Sequence, residues 1–197
     1  MRGLRSTLAG PFDLDVARGH SLAVLGPSGA GKSLLLRMIG DLDPSDGEVD
    51  FDGVARGSLS GPQWRRQSPY VPAEPGWWAQ TVEEHFEPAR RAAACELAAQ
   101  LRLPADQFGA AVSRLSTGER QRWALIRALA LAAPLLLLDE PTGALDLDSA
   151  LAVEAVLAQR LSAGLCLVFV THQEAQAQRL GADLRRLVAG RFVETAR

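Results

Sequence analysis

Three short runs in this chain, Leu22–Leu25, Leu135–Leu138 and Leu165–Val170, are apolar at every position. Runs of that length without a polar break suit strands buried on both faces, as in a parallel sheet covered by helices. Phe12–Val16 and Glu48–Phe51 instead alternate apolar and polar, the period of a half-buried strand, with the turn signal Pro44-Ser45-Asp46-Gly47 before the second. A further short strand is expected at Ser68–Val71, closed by Pro72 and Pro75. Helical patterning covers Leu34–Ile39, Glu119–Ala132, Ser149–Leu161 and Gln173–Leu180. Thr81–Leu103, rich in Ala, Glu and Arg, also reads as helical, interrupted at Pro88 and stopped at Pro104. At the end, Leu184–Val188 and Arg191–Val193 flank Gly190 as a closing hairpin. Strands alternating with helices place the chain in the α/β class, with a mostly parallel sheet and antiparallel strands near the N-terminus. The change of character divides it into a core, 1–72 and 116–197, and an inserted helical subdomain, 73–115.

Bulk composition narrows the picture. A chain of 197 residues, 47% hydrophobic and 22% charged, can bury one good core and is not disordered. The net charge of −2 gives no overall basic field, and pairs such as Arg65-Arg66, Arg90-Arg91 and Arg185-Arg186 read as solvated surface. No nucleic-acid partner is expected. Cys95 and Cys166 lack His or Cys neighbours at metal-ligand spacing and read as two small core residues in a reducing cytoplasm. Residues 1–10 carry no long apolar stretch of the signal-peptide kind. The longest apolar run, Ala128–Leu138, has 11 residues with Pro134 inside it, against about 20 for a membrane-spanning helix.

The chemistry starts after the first buried run, at Gly26-Pro27-Ser28-Gly29-Ala30-Gly31-Lys32-Ser33. The spacing is that of a phosphate-binding loop. Glycines let backbone N–H groups turn inward on phosphates, and the following helix presents its positive end to them. Of 21 Lys and Arg residues, Lys32 is the one lysine. A loop wrapped round a triphosphate needs a compact point charge, where a planar guanidinium does not fit. Ser33 is placed to offer its hydroxyl oxygen to Mg²⁺.

Downstream, Leu135–Leu138 ends in Asp139-Glu140. In phosphoryl transfer the first such carboxylate holds Mg²⁺ and the second orients or deprotonates the attacking water. Leu115-Ser116-Thr117-Gly118-Glu119-Arg120-Gln121 precedes a helix; Ser116 and Glu119 form a capping box, and a small Ser-x-Gly turn there is also an anion site.

The order of these motifs, with Ala144-Leu145-Asp146 and Thr171-His172 following, resembles the ATP-binding cassette ATPases over nearly the whole chain. The resemblance implies a P-loop NTPase core working as a head-to-tail dimer. ATP would lie between Gly26–Ser33 of one subunit and Ser116 and Gly118 of the other. It implies that Lys32, Ser33 and Asp139 bind phosphates and Mg²⁺, that Glu140 is the catalytic base, that His172 contacts the γ-phosphate and that Asp146 joins the two sites. The implied partners are a transmembrane permease on a separate chain and a second copy of this chain or a homologous ATPase subunit. The implied place is the cytoplasm, on the inner face of the cell membrane.

Three departures from the family pattern stand out. Ala73 occupies the place of a glutamine that senses Mg²⁺ and the transport partner, with Glu74 and Gln80 nearby. Leu4–Leu8 lacks the usual adenine-stacking aromatic, and His20 replaces an acidic residue after Gly19. The pair Trp77-Trp78 suits either the core or a groove that docks a cytoplasmic helix of the membrane subunit. The expected function is ATP hydrolysis powering a membrane transporter. The alternatives are a non-transport cassette ATPase and a regulatory module that binds ATP without turnover.

Overall fold

The computed structural model describes residues 1–193; the last four positions assigned to the core, 194–197, lie outside the described residues. In chain order the elements are β1 (Arg2–Arg5), β2 (Ser21–Leu25), α1 (Lys32–Ile39), β3 (Asp46–Glu48), β4 (Asp50–Phe51), β5 (Val54–Ala55), α2 (Gly61–Gln67) and β6 (Tyr70–Val71). Then come α3 (Arg91–Gln100), α4 (Thr117–Leu129), β7 (Leu135–Asp139), α5 (Leu147–Ser162), β8 (Cys166–Val170), α6 (Glu174–Arg179), β9 (Asp183–Val188) and β10 (Arg191–Val193).

The central sheet runs β10-β9-β2-β8-β7-β6, parallel throughout except for the closing hairpin β9–β10. Its three central strands are buried at every residue. Alternate side chains feed two separate cores, as the period of two requires. Leu22, Val24, Leu135, Leu137, Val168 and Val170 pack with α1 and the N-terminal strands. Ala23, Leu25, Leu136, Leu138, Leu167 and Phe169 pack on the other face with α3, α4, α5 and α6. The ion pair of exposed Arg179 with buried Glu154, 2.5 and 2.8 Å, ties α6 to α5.

Several expectations need correction. Phe12–Val16 is not a strand; Phe12 and Leu14 are buried, but the only ladder contact there is the bridge from Phe12 to Leu4 on β1. β1 itself pairs antiparallel with β3, and β4 pairs with β5. α2 was not anticipated. It is announced by Ser60 and Gln63, which form a capping box, with Pro62 in its first turn. Its Trp64 is buried and donates from Nε1 to the Ile39 carbonyl at 2.8 Å, so α2 closes the end of α1. Thr81–Leu103 holds only one α-helix, α3, preceded by single turns at Glu83–His85 and Pro88–Arg90. Residues 73–115 add no strand to the sheet; within them the one isolated β-bridge joins Thr81 to Ala111. Cys166 is buried, and burial pushes its thiol up to about 11, but Cys95 is exposed, not a core residue. Among the described residues no helix is long and apolar enough to cross a membrane.

Candidate active site

β2 delivers the chain into Gly26–Ser33 at the carboxyl end of the parallel strands, where open α/β sheets bind ligands. Gly26 has φ 153°, and a Cβ there would lie 2.0 Å from the Leu187 carbonyl oxygen of β9. Only glycine fits against that strand. We expect Gly26→Ala to lower the melting temperature by about 5–10 °C, since strained backbone costs about 1–3 kcal/mol before any clash is counted. A melting curve superimposable on the parent would refute the close approach.

Lys32 is buried, and its Nζ donates to the carbonyls of Gly26 at 2.8 Å and Pro27 at 3.0 Å. The ammonium therefore sits over the loop, beside the first amides of α1, which have no intrahelical acceptor. Gly31 caps α1 with φ 98°, and no acidic residue opposes an anion in the first turn. Ser28, Gly29, Gly31, Lys32 and Ser33 line a cavity of about 350 Å³ together with Glu140 and His172. His172 Nε2 lies 2.8 Å from Glu140 Oε1. Glu140 follows β7 with φ 47°, its N–H bonded to the Val170 carbonyl of β8.

Asp139 is buried at the end of β7 and accepts at Oδ2 from the Tyr70 hydroxyl, 3.1 Å away. Burial, reinforced by that carboxylate, pushes the Tyr70 phenol well above its ordinary range. The Ser33 hydroxyl and the Asp139 carboxylate are hard oxygen donors of the kind Mg²⁺ takes, one or two from protein and the rest from phosphates and water. Among the described residues no group of three or more His, Cys, Asp or Glu forms a self-sufficient metal cage. The donor set fits a metal that arrives with its nucleotide.

Ser116 and Gly118 lie elsewhere. Ser116 caps α4, accepting from the Glu119 N–H at 3.2 Å while Glu119 Oε2 accepts from the Ser116 N–H at 2.8 Å. That backbone bond is the main cause holding the Glu119 carboxyl below its usual range. Gly118 is backed by its own chain: a Cβ there would meet the Ala144 carbonyl oxygen and Leu145, each at 3.1 Å. Neither residue lines the cavity around Lys32. Asp146 caps α5, accepting from the N–H and Oγ of Ser149 at 2.9 and 2.7 Å, and the backbone bond is the main cause of its lowered pKa.

Three contributors escaped the sequence reading: Tyr70, Gln121 and Gln176. Gln121 is buried; its Nε2 donates to the Glu140 carbonyl at 2.7 Å and its Oε1 accepts from the Ala144 N–H at 3.4 Å. It thereby pins the loop after β7 to α4. Gln176 donates to the Thr142 hydroxyl at 2.8 Å from the other side. A helix interior rich in Gln and Arg, Glu119-Arg120-Gln121-Arg122, was the available signal for the first of these.

The tryptophan pair divides between the two readings. Trp77 packs against the core, whereas Trp78 is 72% exposed. Arg127 lies over both rings, 5.1 and 4.5 Å from their centroids. His85 sits edge-on to both and accepts at Nε2 from the N–H groups of Trp78 and Ala79, with Nδ1–H directed at the Thr81 carbonyl. The loop is thus held in one shape by a neutral imidazole. Beside it a groove of about 250 Å³ is lined by Leu42, Arg65, Tyr70, Val71, Arg127 and Leu131.

A family model described as ABC transporter matches residues 10–143. The aliphatic sulfonates import ATP-binding protein SsuB of Ralstonia nicotianae is 38% identical, covering 99% of this chain and 69% of that protein. The Fe(3+) ions import ATP-binding protein FbpC of Mesorhizobium japonicum is 34% identical, covering 95% of this chain and 55% of its own length. The chain spans 52–60% of four of the first five curated relatives it matches. Among solved structures, a dimeric, post-hydrolysis ATP-binding cassette bound to ADP and phosphate superposes with a TM-score of 0.79 at 26% identity, over 90% of this chain and 84% of that one.

Proposed function

The chain belongs to the ABC transporter family, a family of ATP-hydrolysing subunits, and from that membership and the site geometry we propose that it hydrolyses MgATP as a dimer to power a separate transmembrane permease. The observation that carries the reading is the division of the site. Lys32, Ser33, Glu140 and His172 share one cavity, whose lining does not include Ser116 or Gly118. One chain therefore supplies half of a phosphate enclosure and lends the complementary half to a neighbour. The second subunit is a copy of this chain or a homologous ATPase.

In this reading the amides of Gly26–Ser33, with Lys32, bind the β- and γ-phosphates, and Ser33 and Asp139 hold Mg²⁺. Bound Mg²⁺ neutralises charge on the phosphate oxygens. Glu140 takes the proton of the attacking water, and His172 orients Glu140 and contacts the γ-phosphate. Ser116 and Gly118 close on the partner's nucleotide, and Asp146 lies at the junction of the two sites. Residues 73–115 act as a helical subdomain inserted between the two parts of the core, 1–72 and 116–197. The groove beside Trp78 and Arg127 receives a cytoplasmic helix of the permease, which holds the protein on the inner face of the membrane. With a net charge of −2, nucleic acid is not a partner.

The direct test is to trap tagged Glu140→Gln protein with MgATP in detergent-solubilised host membranes and identify what co-purifies. A multi-span membrane protein in stoichiometric amount supports the reading. Soluble partners or nucleic acid, with the membrane fraction empty, overturn it. In the same assay Trp78→Ala should remove the membrane protein while shifting the melting temperature by no more than ~3 °C, as befits an exposed side chain. Retention of the membrane protein by this variant would place the docking groove elsewhere.

A further inference from the structure

We propose that Tyr70 is the positioning residue for Asp139, and that through it the groove beside the helical subdomain bears directly on the metal-binding carboxylate. The inference rests on Asp139 holding Mg²⁺. β6 is the edge strand of the sheet and runs parallel to β7, with Tyr70 opposite Leu137 and Val71 opposite Leu138. That register places the phenol two residues short of Asp139, and its hydroxyl spans the gap to Oδ2 at 3.1 Å.

Among the described residues no other side chain is hydrogen-bonded to Asp139. A buried carboxylate at a strand end would otherwise have a free torsion about its Cβ–Cγ bond, which is broad and two-fold. The phenol removes that freedom by engaging one oxygen, leaving the other to face a metal. It can only donate here, since an ionised carboxylate only accepts. The same ring lines the groove with Leu42, Arg65, Val71, Arg127 and Leu131. A body seated in that groove touches the side chain that holds the carboxylate, with no intervening residue. Ala73, three positions on, has no polar group with which to share the task.

Tyr70→Phe keeps the ring, the groove wall and the strand and removes only the hydroxyl. The experiment measures equilibrium binding of a fluorescent ATP analogue to the Glu140→Gln chain as Mg²⁺ is titrated, and again in EDTA. Tyr70→Phe should raise the Mg²⁺ concentration at half-effect roughly tenfold, the order of one hydrogen bond to a charged group, while affinity in EDTA stays within about twofold. An unchanged or lowered half-point overturns the proposal, and so does an equal loss of affinity in EDTA, which would mark the tyrosine as structural only. Asp139→Asn, measured alongside, separates the two layers. If it shifts the half-point and Tyr70→Phe does not, the positioning role fails alone. If neither shifts it, the assignment of Asp139 fails as well.

Discussion

Replacing Glu140 with glutamine should cut steady-state phosphate release by roughly 10²–10⁴-fold, the usual contribution of a positioned general base. The substitution preserves shape and hydrogen bonding but cannot accept a proton. Glu140 shares its cavity with Lys32 and Ser33 and lies 2.8 Å from His172 Nε2. Its backbone is fixed independently, by the Val170 carbonyl and by Gln121. The glutamine side chain should therefore occupy the same place, and nucleotide affinity should be retained or increased as the ATP-bound dimer accumulates. Phosphate release and equilibrium ATP binding, measured on one preparation, check both halves. Equal turnover in the parent and Glu140→Gln would remove Glu140 from the chemistry and reopen the binding-module alternative.

The second large effect concerns binding itself. Lys32→Ala should weaken ATP affinity by about two orders of magnitude. Two charge-assisted hydrogen bonds to phosphate, net of the solvation they replace, are worth about 3 kcal/mol. Nζ rests on the carbonyls of Gly26 and Pro27, which hold it over the loop. That placement predicts that Lys32→Arg fails as well, because a forked guanidinium cannot sit between those two carbonyls and also reach a phosphate. Calorimetric titration with ATP decides it; unchanged affinity in Lys32→Ala refutes the loop assignment.

What could be read in the sequence depended on whether a feature is local. Strands β2, β7 and β8 were legible because burial on both faces leaves an unbroken apolar run, and the phosphate loop because its chemistry lies within eight consecutive residues. Phe12–Val16 shows the limit of alternation. Phe12 and Leu14 do face the core, as the pattern said, but hydrophobicity reports burial and not a hydrogen-bonded neighbour. The strand formed instead at Arg2–Arg5, where Leu4 is the one buried residue of four. α2 escaped for the opposite reason: it buries only Trp64, so its evidence lies in its cap and not in periodicity. Within the site, Asp139 and Glu140 were read from the end of an apolar strand, and His172 from the family resemblance. The pairings that orient them, Tyr70 with Asp139 and His172 with Glu140, join positions 69 and 32 residues apart and had no local signal.

The carbonyl cradle around Lys32 has a practical consequence. Of the 21 Lys and Arg residues every one but Lys32 is arginine, so this chain carries a single lysine amine, and that amine sits inside the phosphate loop. Modification of one peptide, followed by mass spectrometry, reads occupancy of the nucleotide site directly. An activated ester thus becomes a footprinting probe with no competing lysine to subtract, the Met1 α-amine being read on a separate peptide.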